Sequence, residues 1–346
     1  MKLFIAMICS WIMIFALWLH WPDDKLHLIV CEVGQGDAIL LQKGNLQVLI
    51  DTGHDETVFS CLQQHLPFWD KKIDVLILTH FDEDHIGGFA TLAQAYLFDY
   101  IFLPLTDFKD SQVFLELKNE ISALQSKGTQ IKEPFLGQQI AFSQISPDFQ
   151  AKYNSTNSQI AASSPIFLLT FLTPNHLDLE EYQALQSTSS FLWQTPENYL
   201  SAEAWQKLAY KLSDNNGSIA VFIQFGELKF LLVGDLETAR ELALLEEGLI
   251  TRVDIQKVGH HGSKTASSME FLEKSRPEIS LISCGANNKF SHPHQEAIAR
   301  LQAIGTQILR TDQLGTIEIL SDGQQFWLKD KRAKLFFSFT KKSSNK

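Results

Sequence analysis

The sequence predicts an α/β domain in which two mixed β-sheets pack against each other with helices outside, preceded by one hydrophobic N-terminal helix. Three observations carry this expectation. Short apolar, β-branched runs arrive in adjacent pairs joined by tight turns, helical patterns lie between them, and a long uncharged segment opens the chain.

The runs that read as strands are Leu26–Val33, Ala38–Leu41, Gln47–Ile50, Ile73–Thr79, Ile166–Leu172, Ser218–Phe225, Lys229–Val233, Ile255–Val258, Ile279–Ser283 and Thr316–Leu320. Gly44-Asn45 and Gly226-Glu227 sit between paired runs, where hairpin turns belong. Helical patterns cover Thr57–Leu66, Leu236–Glu247 and Gln295–Ile304. Hairpins mixed with helices do not suit a purely parallel doubly wound sheet; they suit two mixed sheets sharing a core. Hydrophobic residues make up 45 % of the 346, enough for that core. Polar stretches from Ser143 to Ser164 and from Gln186 to Asn198 read as one surface insertion over about 143–200. The domain is expected to run from 26 to 328.

From Leu3 to Trp21 no residue is charged, with Lys2 before and Asp23-Asp24 after. Nineteen residues of helix span roughly 28 Å, about one hydrocarbon core. No A-x-A cleavage site follows, and Trp18 and Trp21 suit an interfacial belt. Residues 1–22 therefore read as a membrane anchor, a signal peptide being the alternative. Lys2 orients the domain to the extracytoplasmic side of the cell membrane. At the other end, residues 329–346 hold seven Lys/Arg against one Asp, so the rest of the chain carries −17 of the net −11. That balance argues against a simple basic nucleic-acid-binding module. The tail itself, with Phe336, Phe337 and Phe339, suits phosphate backbone or anionic lipid, or a soluble frayed end. Cys9, Cys31, Cys61 and Cys284 contain no CxxC and read as free buried thiols.

The chemistry is concentrated in Thr79-His80-Phe81-Asp82-Glu83-Asp84-His85-Ile86-Gly87-Gly88, directly after an apolar strand. Imidazole and carboxylate together suit Zn2+ or, with more carboxylate, Mn2+. Two further strand ends carry the same residue types. Asp235 closes Phe230–Asp235, where an ordinary helix N-cap is also an adequate reading. His260 and His261 follow Lys257-Val258-Gly259, and two adjacent histidines are hard to satisfy in a core. Ser291-His292-Pro293-His294 is a weaker third pair, for which the opening of the helix at Gln295 is also an adequate reading.

The order HxDxDHxGG, GD, HHGS resembles the metallo-β-lactamase superfamily and its αββα sandwich. More narrowly it is similar to the C-terminal hydrolase domain of ComEC-type DNA-uptake competence proteins. Supporting matches are Val33–Ala38 (VGQGDA), Asp51-Thr52-Gly53, Asn215–Ser218, Phe290–His294 and Arg310-Thr311-Asp312. The resemblance implies a pair of divalent metal ions, with His80 and Asp82 on one, Asp84, His85 and His261 on the other, Asp235 between them and His260 less certain. Asp51 would orient ligands from beneath. Catalysis would rest on Asp84, Asp235, His261 and His294, with Ser263 and Lys264 as phosphate contacts. Asp82 stands where the superfamily usually has histidine, which favours harder metals such as Mn2+. A usual later histidine is replaced by Asp214-Asn215-Asn216, leaving Asp214, His176 or water for that position.

ComEC-type proteins carry many membrane helices before this domain, so one segment here suggests a singly anchored relative without a channel. The expected function is metal-assisted hydrolysis of a phosphodiester, with DNA among the candidate substrates. Lactone, β-lactam, thioester or phosphocholine-ester hydrolysis is the alternative, then a non-catalytic metal-binding scaffold. No protein partner is predicted.

Overall fold

The computed structural model describes residues 22–104, 111–134, 136–142, 167–173 and 215–329, the backbone of 336–339, and Phe4, Met7 and Trp11. The first sheet takes β1 (Leu26–Val30), β2 (Ile39–Lys43), β3 (Leu46–Ile50), β4 (Lys72–Ile77), β5 (Leu97–Phe102) and β6 (Gln130–Lys132). The second takes β7 (Gln139–Phe142), β8 (Phe167–Phe171), β9 (Val221–Phe225), β10 (Leu228–Leu232), β11 (Ile255–Lys257), β12 (Ile279–Ile282) and β13 (Gln307–Arg310). The chain then returns to the first sheet with β14 (Ile317–Ser321), β15 (Phe326–Lys329) and β16 (Phe336–Phe339).

Strand order is β16-β15-β14-β1-β2-β3-β4-β5-β6 in one sheet and β13-β12-β11-β10-β9-β8-β7 in the other. Each sheet combines antiparallel pairs with three successive parallel ones, β3–β6 in the first and β10–β13 in the second. Period-two alternation explains how both faces are buried. Leu26, Leu28 and Val30 enter the core between the sheets, whereas Ile29 and Cys31 face the outer helices. Leu228, Phe230 and Leu232 likewise face inward while Leu231 and Val233 face outward.

Helices α1 (Thr57–His65), α2 (Glu83–Ile86), α3 (Phe89–Ala95) and α4 (Gln112–Ser126) cover the first sheet. The second is covered by α5 (Thr238–Glu246), α6 (Met269–Ser275) and α7 (Gln295–Ala303). A short α8 (Thr311–Leu314) follows β13. The layers are helix, sheet, sheet, helix, as the paired-strand pattern predicts. What matters for the site is that β1, β3, β4, β10, β11 and β12 all release their following loops at one end of the sandwich.

Several sequence expectations change. Cys31 and Cys61 are not free thiols: they form a disulfide with Cα atoms 6.0 Å apart. β1 delivers Cys31 beneath α1, which carries Cys61, a juxtaposition that a 30-residue spacing does not reveal. Cys284 is the free, buried cysteine among the described residues. The tail does not begin cleanly at 329, because Phe336–Phe339 add an edge strand antiparallel to β15. The insertion at about 143–200 is interrupted, since β8 pairs with both β7 and β9 in the core of the second sheet. Its remaining stretches lie outside the described residues, as does the anchor of residues 3–21 apart from Phe4, Met7 and Trp11. Among the described residues, no helix is long and apolar enough to cross a membrane. The patterning does not anticipate β5, β6, β7, β13 or β15. In β5, Leu97 is 56 % exposed and Asp99 interrupts the apolar run, so the hydrophobic signal is weak.

Replacing both Cys31 and Cys61 by Ala frees a 30-residue loop in the unfolded chain. Stability should fall by about 3–4 kcal/mol. Urea unfolding of oxidised wild type and the double variant measures it; coincident curves would show that the bridge contributes nothing.

Candidate metal centre

The loop after β4 begins with Thr79, whose backbone N–H and hydroxyl both donate to the Asp51 carboxylate at 2.7 Å. The Thr79 hydroxyl has one hydrogen and spends it there, so towards His80 Nδ1, 3.0 Å away, it accepts. His80 therefore carries its hydrogen on Nδ1 and presents a bare Nε2, which is buried without a hydrogen-bond partner. Asp51 also accepts from His85 Nδ1 at 2.8 Å, turning His85 Nε2 inward. The Ser283 carbonyl accepts from His261 Nδ1 at 2.9 Å, with the same result on the opposite sheet.

These three Nε2 atoms converge on one carboxylate oxygen. Asp235 Oδ2 lies 3.3 Å from His261, 3.4 Å from His85 and 3.9 Å from His80. His260 Nε2 stands 3.8 Å from the same oxygen, while its Nδ1 faces Glu237 at 3.3 Å. Asp84 Oδ2 reaches His261 Nε2 at 3.4 Å. Asp82 is more peripheral, 3.9 Å from His80 Nε2 and about one-third exposed. Grouped by mutual proximity of ligand atoms, His80, His85 and Asp235 form one set and Asp84, His85 and His261 another. Asp37, Asp235 and His261 form a third, and Asp37, Asp51 and His85 a fourth.

Backbone geometry shows how tightly this is built. Asp51, His260 and His261 adopt positive φ of 58°, 45° and 53°, a conformation non-glycine residues hold only when their surroundings enforce it. Gly36 lies so close to the Asp84 carbonyl that no Cβ fits, and Gly87 and Gly88 press likewise on the His54 and Thr52 carbonyls. The loop after His261 is pinned by Arg300, which donates to the carbonyls of Lys264, Ala266 and Ser267 at 2.7–3.1 Å.

Two functional groups escape sequence reasoning. Lys257, fully buried at the end of β11, is ion-paired with Asp37. It also donates to the Gly234 carbonyl at 2.9 Å and stands 3.4 Å from Asp235 Oδ1. Both residues lie inside recognisable motifs; the available signal was a lysine inside the run Ile255–Val258 that reads as a strand. The third miss is one of emphasis. His292 is the member of its pair nearer the cluster, its ring 5.4 Å from His260 and 6.3 Å from His261. His294 stands one ring further out, 4.9 Å from His292, accepting the Lys264 N–H at Nδ1. His176 and Asp214 lie outside the described residues.

The electrostatics follow from this burial. Burial favours a neutral Asp235, yet the imidazoles of His261 and His85 and the Lys257 ammonium hold its carboxyl well below the usual range. Burial likewise opposes charge on His85 and His261, but Asp235, with Asp51 for the one and Asp37 for the other, raises both well above an ordinary imidazole. His80 goes the other way: burial, reinforced by His85, pushes it down to about 3. The cluster is thus an anionic pocket that draws positive charge onto its histidines, with one imidazole kept neutral and unpartnered. A divalent cation satisfies both features, and the N/O donor set fits one.

An αββα sandwich with histidines and carboxylates gathered at its strand ends is a metallo-β-lactamase fold. The metallo-beta-lactamase superfamily profile matches residues 31–101, which include β3, β4 and the loop of His80 to His85. Among curated proteins the chain is similar to ComE operon protein 3 of Bacillus subtilis (strain 168), at 28 % identity over 83 % of this chain and 32 % of that protein. It is similar also to competence protein ComA of Neisseria gonorrhoeae, at 25 % identity over 86 % of this chain and 32 % of that one. Recombination protein 2 of Haemophilus influenzae (strain ATCC 51907 / DSM 11121 / KW20 / Rd) matches at 23 % over 86 % and 29 %. The chain spans about a third of the length of these relatives.

Lys257→Met should leave Asp37 buried without its lysine partner, at a cost of about 3–5 kcal/mol. Adding Asp37→Leu should recover at least half of that loss. Denaturant midpoints in the presence of chelator measure both, and an unchanged midpoint for Lys257→Met would refute the ion pair's structural role.

Proposed function

We propose that this domain is a binuclear metal-dependent phosphodiesterase, with DNA among its substrates. The observation that carries the metal part is the convergence of three oriented imidazole Nε2 atoms on Asp235, one of them buried without a partner. One divalent ion, Zn2+ or Mn2+, would be held by His80, Asp82 and Asp235, and a second by Asp84, His85, His261 and Asp235. When bound, such ions activate water and stabilise charge on the transferring group.

The chain's own part is orientation. Asp51 and the Ser283 carbonyl fix which nitrogen of His85 and His261 faces the site. Lys257 occupies the Asp235 Oδ1 side and leaves Oδ2 to the histidines. His260, about one-quarter exposed at the rim, is placed to donate to a phosphoryl oxygen or a leaving group. His294 stands beyond His292, with Lys264 beside it, as further donors. The phosphodiester class is supported by this cationic and donor-rich rim and by the competence relatives.

The same proposal puts the domain outside the cytoplasmic membrane, held by residues 3–21. An apolar segment of that length supports the anchor. The Cys31–Cys61 disulfide supports an oxidising compartment. The basic residues from Lys329 onward add sequence-independent attraction for phosphate or anionic lipid.

Elemental analysis after loading with Mn2+ or Zn2+ should find close to two ions per chain, and a value below about 0.5 would remove the metal centre. Asp235→Asn should lower turnover of a bis-aryl phosphodiester and of DNA by roughly 10²–10³-fold. Undiminished turnover would refute the role of Asp235, and cleavage of lactones but no phosphodiester would refute the substrate class. Alkaline carbonate extraction should leave the protein in the membrane pellet; release with a new N-terminus near Pro22 would identify a signal peptide instead.

A further inference from the structure

Beside the metal cluster lies an aromatic side chain that neither the core nor the ligand set uses. Phe290 is 47 % exposed and stands on the loop that packs against the His260–His261 turn. Its ring is not free to tumble into cover. It lies nearly parallel to the His292 imidazole, with planes 25° apart and centroids 5.7 Å apart. Lys289 Nζ sits 4.9 Å from the ring centroid.

The loop that presents Phe290 is fixed from several sides. The Asn288 carboxamide oxygen accepts from the N–H groups of Phe290 and His292, at 3.1 and 3.0 Å. Its amide nitrogen donates to the carbonyls of Gly285 and His292, at 2.9 and 2.6 Å. On the far side, His294 N–H donates to the Gly262 carbonyl at 2.9 Å. Pro293 packs where a Cβ on Gly262 would stand, directly against the turn that carries His260 and His261. The exposed ring is therefore held rigidly to the same turn that supplies the site. The His292 ring, against which Phe290 stacks, is 5.4 Å from the ring of His260.

We propose that Phe290, backed by His292, is a stacking platform for the base of a nucleotide whose phosphodiester lies at the His260–His261 turn, the base taking the place over the ring that the flexible Lys289 ammonium holds without it. Every base offers a π-face, so such a platform takes unpaired nucleotides regardless of sequence, while Lys289 and the neighbouring Lys264 attract the backbone. This rests on the phosphodiesterase reading and narrows it to base-bearing, unpaired substrates. An aromatic on one rigid loop provides no groove for a duplex, whose bases are already stacked.

The test measures binding without turnover. Full-length protein in detergent, with chelator, is titrated against fluorescent oligodeoxythymidylate and against an abasic strand of equal length. Wild type should bind the base-bearing strand more tightly. Phe290→Ala should weaken that binding about tenfold and leave abasic affinity unchanged, and Phe290→Trp should retain or improve it. Equal affinity of wild type for the two strands, or equal weakening of both by Phe290→Ala, would overturn the platform. Because these readings need no hydrolysis, they separate failure of the platform from failure of the phosphodiesterase reading, which metal-dependent turnover of the bis-aryl phosphodiester decides independently.

Discussion

The buried Lys257 ammonium is the constraint around which the molecule closes. It comes from the end of β11 in the second sheet, and its carboxylate partner Asp37 comes from the loop after β1 in the first. Removing both charges from water costs several kcal/mol for each ion, which only close mutual approach offsets. The two sheets must therefore meet at the position where the pair forms. Asp235, leaving β10, joins the same cation, so the carboxylate that faces the histidines is located by the contact that aligns the sheets. Folding and site assembly are one event here. The apolar core between the sheets supplies the attraction, and the ion pair selects the alignment.

Around this contact the rings of His80, His85 and His261 are each aimed by a hydrogen bond at Nδ1. Asp51 carries three hydrogen bonds, two from Thr79 and one from His85, and holds positive φ while doing so. His261 is strained in the same sense and is aimed by a backbone carbonyl at the end of β12. Backbone strain at these positions persists because hydrogen bonds on all sides over-determine it. The consequence is a pocket whose Asp37, Asp84 and Asp235 carboxyls are held below the usual carboxylate range and whose imidazole nitrogens point inward before any ligand arrives. Preorganisation of this kind lowers what must be reorganised when charge develops during reaction. The rim is built on the same logic, with Asn288 and Arg300 tying down the two loops that frame it.

Much of this was legible in the residues. The strand-end positions of His80, Asp84, His85, Asp235 and His261 follow from apolar runs that stop at polar clusters. Their ordered spacing pointed to one fold. Asp37 and Lys257 were legible only as motif letters, because their partners are 220 residues apart and nothing local requires either charge. The same limit hid the disulfide, whose cysteines show no spacing signature. Strand β16 was hidden for another reason: its Phe-Phe-Ser-Phe is embedded in a basic stretch that reads like a surface tail, and only pairing with β15 makes it a strand. That His292 stands nearer the cluster than His294 was not legible, because both share a four-residue motif and only the loop's path decides which ring lies closer.

By itself the sequence determined the element types, the four-layer arrangement and the chemistry of the donor set, because periodicity and residue type are local properties. Tertiary structure alone decided which imidazole nitrogen faces the site, since Thr79, Asp51 and Ser283 fix it by hydrogen bonds across strands and sheets. It also decided that Lys257 is an internal cation rather than a surface one, and that Phe290 is a fixed, half-exposed ring at the rim of the site. Those are properties of position relative to distant chain segments, and a buried charge or an exposed aromatic acquires its meaning only from what surrounds it.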